Sequence, residues 1–273
     1  DQKITDALWE GKSANAQLSY YLSHQLGFPT YRNTEAEYFP VGEAKFASMI
    51  KELEKAEKFI FMEYFIVEEG IMWNTILEIL KRKAAEGVEV RFMYDGMCAF
   101  DLLPYSYPKK LQKYGINCKM SNKIRPFVST IQNNRDHRKI CVIDGQVGYV
   151  GGVNLADEYI NEKERFGHWK DTGFRVTGEP AQSFTHMFLT FWNAFSLQNN
   201  LPQPELKEPR LPAPETENGY ILSYYDSPLN REASSNQLYI DLLSQSTDYA
   251  WFFTPYLMPG DELMDAMACA AHR

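Results

Sequence analysis

A layered α/β domain, a mixed β-sheet flanked by helices, is the fold class predicted for this chain of 273 residues. Three observations predict it. Short runs rich in Phe, Ile, Val and Tyr alternate with longer segments of helical period. Gly87, Asp95-Gly96 and Asp144-Gly145 stand where strands and helices should stop. The order of strand, acidic turn and helix in 59–86 begins again in 249–273, so two pseudo-symmetric repeats are expected, the second incomplete.

Each element has its own signal. Ile4, Leu8, Leu18, Leu22 and Leu26 recur at helix-compatible intervals, which predicts a helical segment ending at Gly27 and Pro29. Lys45–Ala56 reads as an amphipathic helix, and Lys58–Val67, rich in Phe, Ile, Tyr and Val, as a buried strand. Ile71–Ala85 is helical with Gly87 as its stop, Val88–Tyr94 a strand, Pro108–Tyr114 a short helix and Ile116–Met120 a short strand. The aromatic run 104–108 has no period and reads equally as a loop on the core or a lip touching lipid. His137–Ile143 and Val147–Val150 form a hairpin around Asp144-Gly145. Phe174–Val176 and Ala181–Phe195 add a strand and a helix. Five prolines among many charges mark 199–218 as a linker. Beyond it come a strand (Tyr220–Tyr225), a helix (Ser235–Gln245), an aromatic strand (Tyr249–Leu257) and a helix (Glu262–Ala271).

Composition excludes several classes. Hydrophobic residues make up 44%, enough for one good core or two smaller ones. No run approaches the roughly 18 apolar residues of a spanning helix. No signal-peptide pattern is visible, the start at Asp1 reads as a processed or trimmed end, and any membrane anchor is expected outside this sequence. Cys98, Cys118, Cys141 and Cys269 form no CxxC pair and are expected to be reduced. Five scattered histidines predict no metal, and no cofactor is expected. The net charge of −8 argues against a nucleic-acid partner, although nine Lys and Arg face a single acid, Asp136, between Lys109 and Lys139. Beside a phosphate-handling motif, that excess reads as a basic cleft for anionic substrates.

The chemistry lies in Asn134-Arg-Asp-His137-Arg-Lys139-Ile-Cys-Val-Ile-Asp144, followed by Gly151-Gly152-Val-Asn154. Alternation along a strand places His137 and Lys139 on one face. An imidazole can attack phosphorus while an ammonium neutralises the developing charge on its oxygens. Gly151 and Gly152 remove side chains where backbone N–H groups would approach an anion, and Asn154 adds an amide donor.

HxKxxxxD followed by GGxN resembles the HKD motif of the phospholipase D superfamily, and His137, Lys139, Asp144, Gly152 and Asn154 match it. Asn134-Arg135, Asp157-Glu158-Tyr159, Trp169-Lys-Asp171-Thr172 and Thr254-Pro255-Tyr256 resemble bacterial cardiolipin synthases in particular. The resemblance implies a phospholipase-D-type fold and phosphatidyl transfer between two phosphatidylglycerol molecules through a phosphohistidine, giving cardiolipin and glycerol. It implies His137 as nucleophile or acid/base, Lys139, Gly152 and Asn154 on the phosphate, and Asp171 orienting a partner histidine. Asp144 belongs to the motif, but its place at the turn points to shaping the strand end. Family members need two such motifs and this chain has one, so the second is expected from a missing C-terminal part or a second chain. The domains expected are an N-terminal helical segment (1–29), a first phospholipase-D-like domain (30–198), the linker (199–218) and the start of a second domain (219–273). The expected setting is the surface of a bacterial cell membrane, with anionic phospholipid as partner. The alternatives are a phospholipase D hydrolase, a superfamily nuclease, or a catalytically incomplete lipid-binding module.

Overall fold

The computed structural model describes residues 2–11, 13–32, 34–122, 135–194, 219–226, 234–254 and 256–273. The predicted linker at 199–218 lies outside them. In chain order the first elements are α1 (Gln2–Glu10), α2 (Ala14–His24), β1 (Thr30–Tyr31), β2 (Glu35–Phe39), α3 (Gly42–Glu54), β3 (Phe59–Tyr64), α4 (Ile71–Ala85) and β4 (Glu89–Asp95). Then follow α5 (Cys98–Asp101), α6 (Tyr107–Gln112), β5 (Asn117–Ser121), β6 (Ile140–Ile143), β7 (Val147–Gly151), a 3-10 turn (Asp157–Ile160), β8 (Gly173–Thr177) and α7 (Pro180–Ala194). The last are β9 (Ile221–Leu222), α8 (Ser234–Gln245) and α9 (Asp261–His272). They divide into two compact units: Arg32–Tyr220, and Asp1–Tyr31 together with Ile221–Arg273.

The larger unit is built on one seven-stranded sheet in the order β2-β8-β7-β6-β3-β4-β5. Pairing is parallel across β3, β4 and β5 and antiparallel elsewhere, so the sheet is mixed, as predicted. Central β3 is buried along its whole length, which explains its nearly unbroken apolar sequence. Ile60, Met62 and Tyr64 join Met49 and Leu53 of α3 and Ile76 and Leu80 of α4 in the core. Phe61 points the other way, where its ring stacks on Phe188 of α7 at 4.9 Å. Helices therefore cover both faces, and Glu63, in register with Phe61, is buried on the α7 side.

Several boundaries differ from the sequence reading. Edge strand β2 went unpredicted because four of its five residues face solvent and carry no apolar alternation; what holds it is the β8 ladder. Paired β6 begins at Ile140 rather than His137, since its partner β3 ends there and Glu63 faces Ile140. In the aromatic run 104–108, Tyr107 is buried and accepts a hydrogen bond from Trp73 Nε1 at 2.6 Å, while Pro104, Tyr105 and Ser106 are exposed.

α4 shows how sequence-distant residues start a helix. Gly70 precedes it with no side chain to cap its free N–H groups. Asp157 does so instead, its Oδ2 accepting from Ile71 N and its Oδ1 from Met72 N, both at 2.9 Å. A Cβ on Gly70 would sit 2.5 Å from that carboxylate. Asp157→Ala is expected to lower stability by about 1–2 kcal/mol, the usual cost of a lost cap, and a thermal melt of the purified chain measures it.

In the smaller unit the expected single N-terminal helix is two helices. The chain breaks after Gly11, and Ser13 Oγ accepts the Ala16 N–H at 3.1 Å to start α2. β1 pairs antiparallel with β9. The described residues of 249–257 form no strand, for none of the described residues offers them a ladder, and Tyr249, Trp251, Phe253 and Tyr256 are exposed. Among the described residues no helix is long and apolar enough to cross a membrane.

Candidate active site

Where β3 and β4 end and β6 is about to begin, the backbone leaves the ladder and carries His137 and Lys139 away from the sheet. The carboxyl ends of such strands are the usual place for a ligand, because side chains converge there without a covering layer. Three anchors hold the segment. The Asp95 carboxylate at the end of β4 accepts from Met97 N at 2.9 Å, Asp136 N at 3.1 Å and Arg135 Nη1 at 3.3 Å. Arg138 Nε reaches Glu63 Oε1 at 2.7 Å and Asp136 Oδ1 at 3.0 Å on the α7 side. Lys139 Nζ donates to the His137 carbonyl at 2.5 Å.

His137 and Lys139 meet over one ring. The His137 imidazole lies 4.7 Å from the Phe65 centroid, and Lys139 Nζ lies 5.4 Å from it. Phe65 is itself tied down by its neighbours: its carbonyl accepts from Cys98 Sγ at 3.1 Å, and Ile66 N donates to Asn154 Oδ1 at 2.9 Å. His137 stays exposed while Lys139 is buried beneath it. Partial desolvation of the ring, and secondarily the Lys139 charge, hold the His137 imidazole below its ordinary range, against the opposing pull of Asp136 and Asp95. Burial draws Lys139 down to about 8, with Lys45 pushing the same way and Asp136 and Asp171 opposing. An uncharged imidazole beside a cation is the arrangement a nucleophile for a phosphate anion needs.

The other predicted site residues are distributed differently. Asp144 sits at the far end of β6 with φ of 54°, and its carboxylate accepts from Glu57 N, Lys58 N and Phe59 N at 2.8–2.9 Å. It fastens the start of β3 and does not approach His137 across the four residues of β6. Asn154 is 2% exposed, with Oδ1 on Ile66 and Nδ2 on Tyr159 Oη at 2.8 Å, so its side chain braces the Phe65 loop. The Gly152 N–H, read from sequence as open to an anion, donates to the Thr172 carbonyl at 3.1 Å because β7 and β8 close their ladder there. Gly152 instead makes space: a Cβ would overlap the Asp171 carboxylate. Asp171 lies half-buried and is felt by both Lys139 and Lys45.

Of the basic run, Lys110 pairs with Glu69 at 2.7 Å, Lys119 donates to the Trp192 carbonyl at 3.0 Å, and Arg135 and Arg138 are paired as above. Lys123 and Arg125 lie outside the described residues. Sequence reading missed Phe65, Asp95, Glu63 and Lys45. Lys45 alone left a signal, since it shares an i, i+4, i+8 stripe with Met49 and Leu53 on the apolar face of α3. Burial raises the Glu63 carboxyl well above its usual range, helped by Asp136 and opposed by Arg138.

A protein of Streptococcus mutans, described as uncharacterized, is 49% identical over 274 residues, covering 100% of this chain and 59% of its own length. The cardiolipin synthase of Alkalihalophilus pseudofirmus is 34% identical over 257 residues, 93% of this chain and 50% of that enzyme. The chain thus spans about half the length of the curated relatives it matches. The crystal structure of phosphatidylserine synthase from Haemophilus influenzae Rd KW20 superposes with a TM-score of 0.48 at 16% identity, over 70% of this chain and 44% of that one. A family model described as cardiolipin synthase, PLD-like domain, matches residues 49–188, from within α3 to within α7. With half its length and the whole His137–Asp171 region inside that match, the chain belongs to the cardiolipin synthase, PLD-like domain family.

Proposed function

We propose that the protein carrying this chain is a phosphatidyltransferase of the cardiolipin synthase type and that this chain is one of its two catalytic halves. The observation that carries the reading is the shared placement of His137 and Lys139 on the Phe65 ring at the open end of the sheet. Relatives named cardiolipin synthase support it. In this reading His137, or its counterpart from a second HKD half, attacks the phosphorus of phosphatidylglycerol as the bond to the glycerol oxygen breaks. The other histidine gives that oxygen its proton, and glycerol leaves. The same residue, now a base, takes the hydroxyl proton of a second phosphatidylglycerol. That oxygen attacks phosphorus, the phosphorus–histidine bond breaks, and cardiolipin departs. Lys139 neutralises the phosphoryl oxygens, and Asp171 orients the partner histidine. The second half comes from further residues of the polypeptide or from a second copy, and the reaction takes place at an anionic membrane surface.

Full-length protein incubated with phosphatidylglycerol vesicles tests the reading by its lipid products. Cardiolipin with free glycerol supports it. Phosphatidic acid instead makes the protein a hydrolase, and lipid binding without turnover makes it a binding module. The charge arrangement carries its own prediction. Lys139 holds His137 down, so Lys139→Met removes a like charge and raises the imidazole midpoint. NMR titration of the His137 ring reads this directly, and a midpoint that stays or falls contradicts the assigned coupling.

A further inference from the structure

Behind Lys139, on the same face of the sheet, the core holds a second cation that the reaction above does not use. Lys45 of α3 is completely buried, and its Nζ has no hydrogen-bond partner among the described residues. An isolated ammonium in a protein interior costs several kcal/mol even after relaxation, so its presence calls for a counter-charge. Two glycines bring a carboxylate into its neighbourhood. Gly173, at the start of β8, lacks the Cβ that would lie 2.6 Å from Lys45 Cδ. Gly152, at the end of β7, lacks the Cβ that would overlap the Asp171 carboxylate. The two glycines stand at adjoining ends of paired strands, one clearing a lysine stem and the other a carboxylate. Burial draws Lys45 down to about 8, opposed by Cys141 and then by Asp171, and burial in turn pushes the Cys141 thiol up to about 12, which leaves it neutral at neutral pH. Lys139 is acted on by both Asp171 and Lys45, and also by Asp136.

We propose that Lys45 is a positioning residue: it is the buried counter-cation of Asp171, and through that carboxylate it sets the charge of the Lys139 site. The inference rests on the reading of Asp171 and Lys139 given above and adds the residue that governs them. Lys45 itself touches no substrate, being sealed under α3.

The test compares Lys45→Met, Asp171→Asn and the double variant in the full-length protein, by phosphatidyl transfer across pH and by thermal unfolding. Lys45→Met keeps the length of the side chain without its charge. It is expected to slow transfer by roughly ten-fold or more and to move the alkaline limb of the rate profile to higher pH, because Lys139 loses a like charge. The double variant is expected to be no slower than Asp171→Asn alone, since both changes cut one link. Uniform slowing at every pH in step with a lowered melting temperature overturns the proposal, as does additive loss in the double variant. Should Lys45→Met fail to fold, the double variant, which removes both charges, is expected to recover folding, and its failure to do so also overturns it. Loss of all transfer in the unmodified protein, or full activity in Asp171→Asn, sinks the underlying reading instead. Normal rate in Lys45→Met with impaired Asp171→Asn sinks only this inference.

Discussion

Replacing His137 with alanine is expected to lower phosphatidyl transfer by the full-length protein by at least ~10³-fold, the scale typical of a deleted covalent nucleophile. The folded state should hardly notice the change. His137 is exposed, lies outside the ladders of the described residues, and packs its ring against Phe65. Its removal is expected to shift stability by no more than about 0.5 kcal/mol, as for surface positions generally. The pairing of a large kinetic loss with an unchanged melting temperature separates chemistry from architecture. Within the larger unit the other described imidazoles lie elsewhere: His168 faces Glu43 at 3.9 Å on an exposed stretch, and His186 lies on α7. Wild-type rates in His137→Ala, measured by release of glycerol from phosphatidylglycerol vesicles, would remove His137 from the mechanism.

Asp144→Ala is expected to show the opposite pattern. Three consecutive backbone N–H groups at the start of the central strand donate to this one carboxylate. Their loss should cost about 2–4 kcal/mol, as charge-assisted hydrogen bonds to partly buried donors do. For a chain of this size that corresponds to a fall in melting temperature of roughly 5–15 °C. Asparagine retains one carbonyl acceptor and tolerates the left-handed backbone at φ of 54°, so Asp144→Asn should recover part of the loss. At temperatures where the variant is folded, activity per folded molecule should persist. An unchanged melting curve with lost turnover would return Asp144 to the chemistry.

These two residues of one motif are placed in different surroundings, and only part of that difference was legible in the sequence. Helices and strands of the larger unit were readable wherever burial writes a period: α4 falls on the predicted residues, and β3, β4, β5, β7, β8 and α7 within one or a few. Edge strand β2 was not, because a strand held by one ladder and facing water needs no apolar alternation. The break between α1 and α2 was not, because its apolar residues keep a helical spacing across Gly11 while the Ser13 cap restarts the helix. For the site, alternation sufficed to place His137 and Lys139 on one side, since a two-residue period survives even where the ladder has ended. It could not report that the Gly152 amide and the Asn154 side chain are engaged by Thr172, Ile66 and Tyr159.

The sequence by itself determined the layered fold, the family resemblance and the juxtaposition of His137 and Lys139, because each is encoded in local spacing along one segment. Tertiary structure alone decided what surrounds that pair. Phe65, Asp95, Asp171 and Lys45 come from four separate places in the chain, and their burial and charge act through space, across separations the sequence does not record.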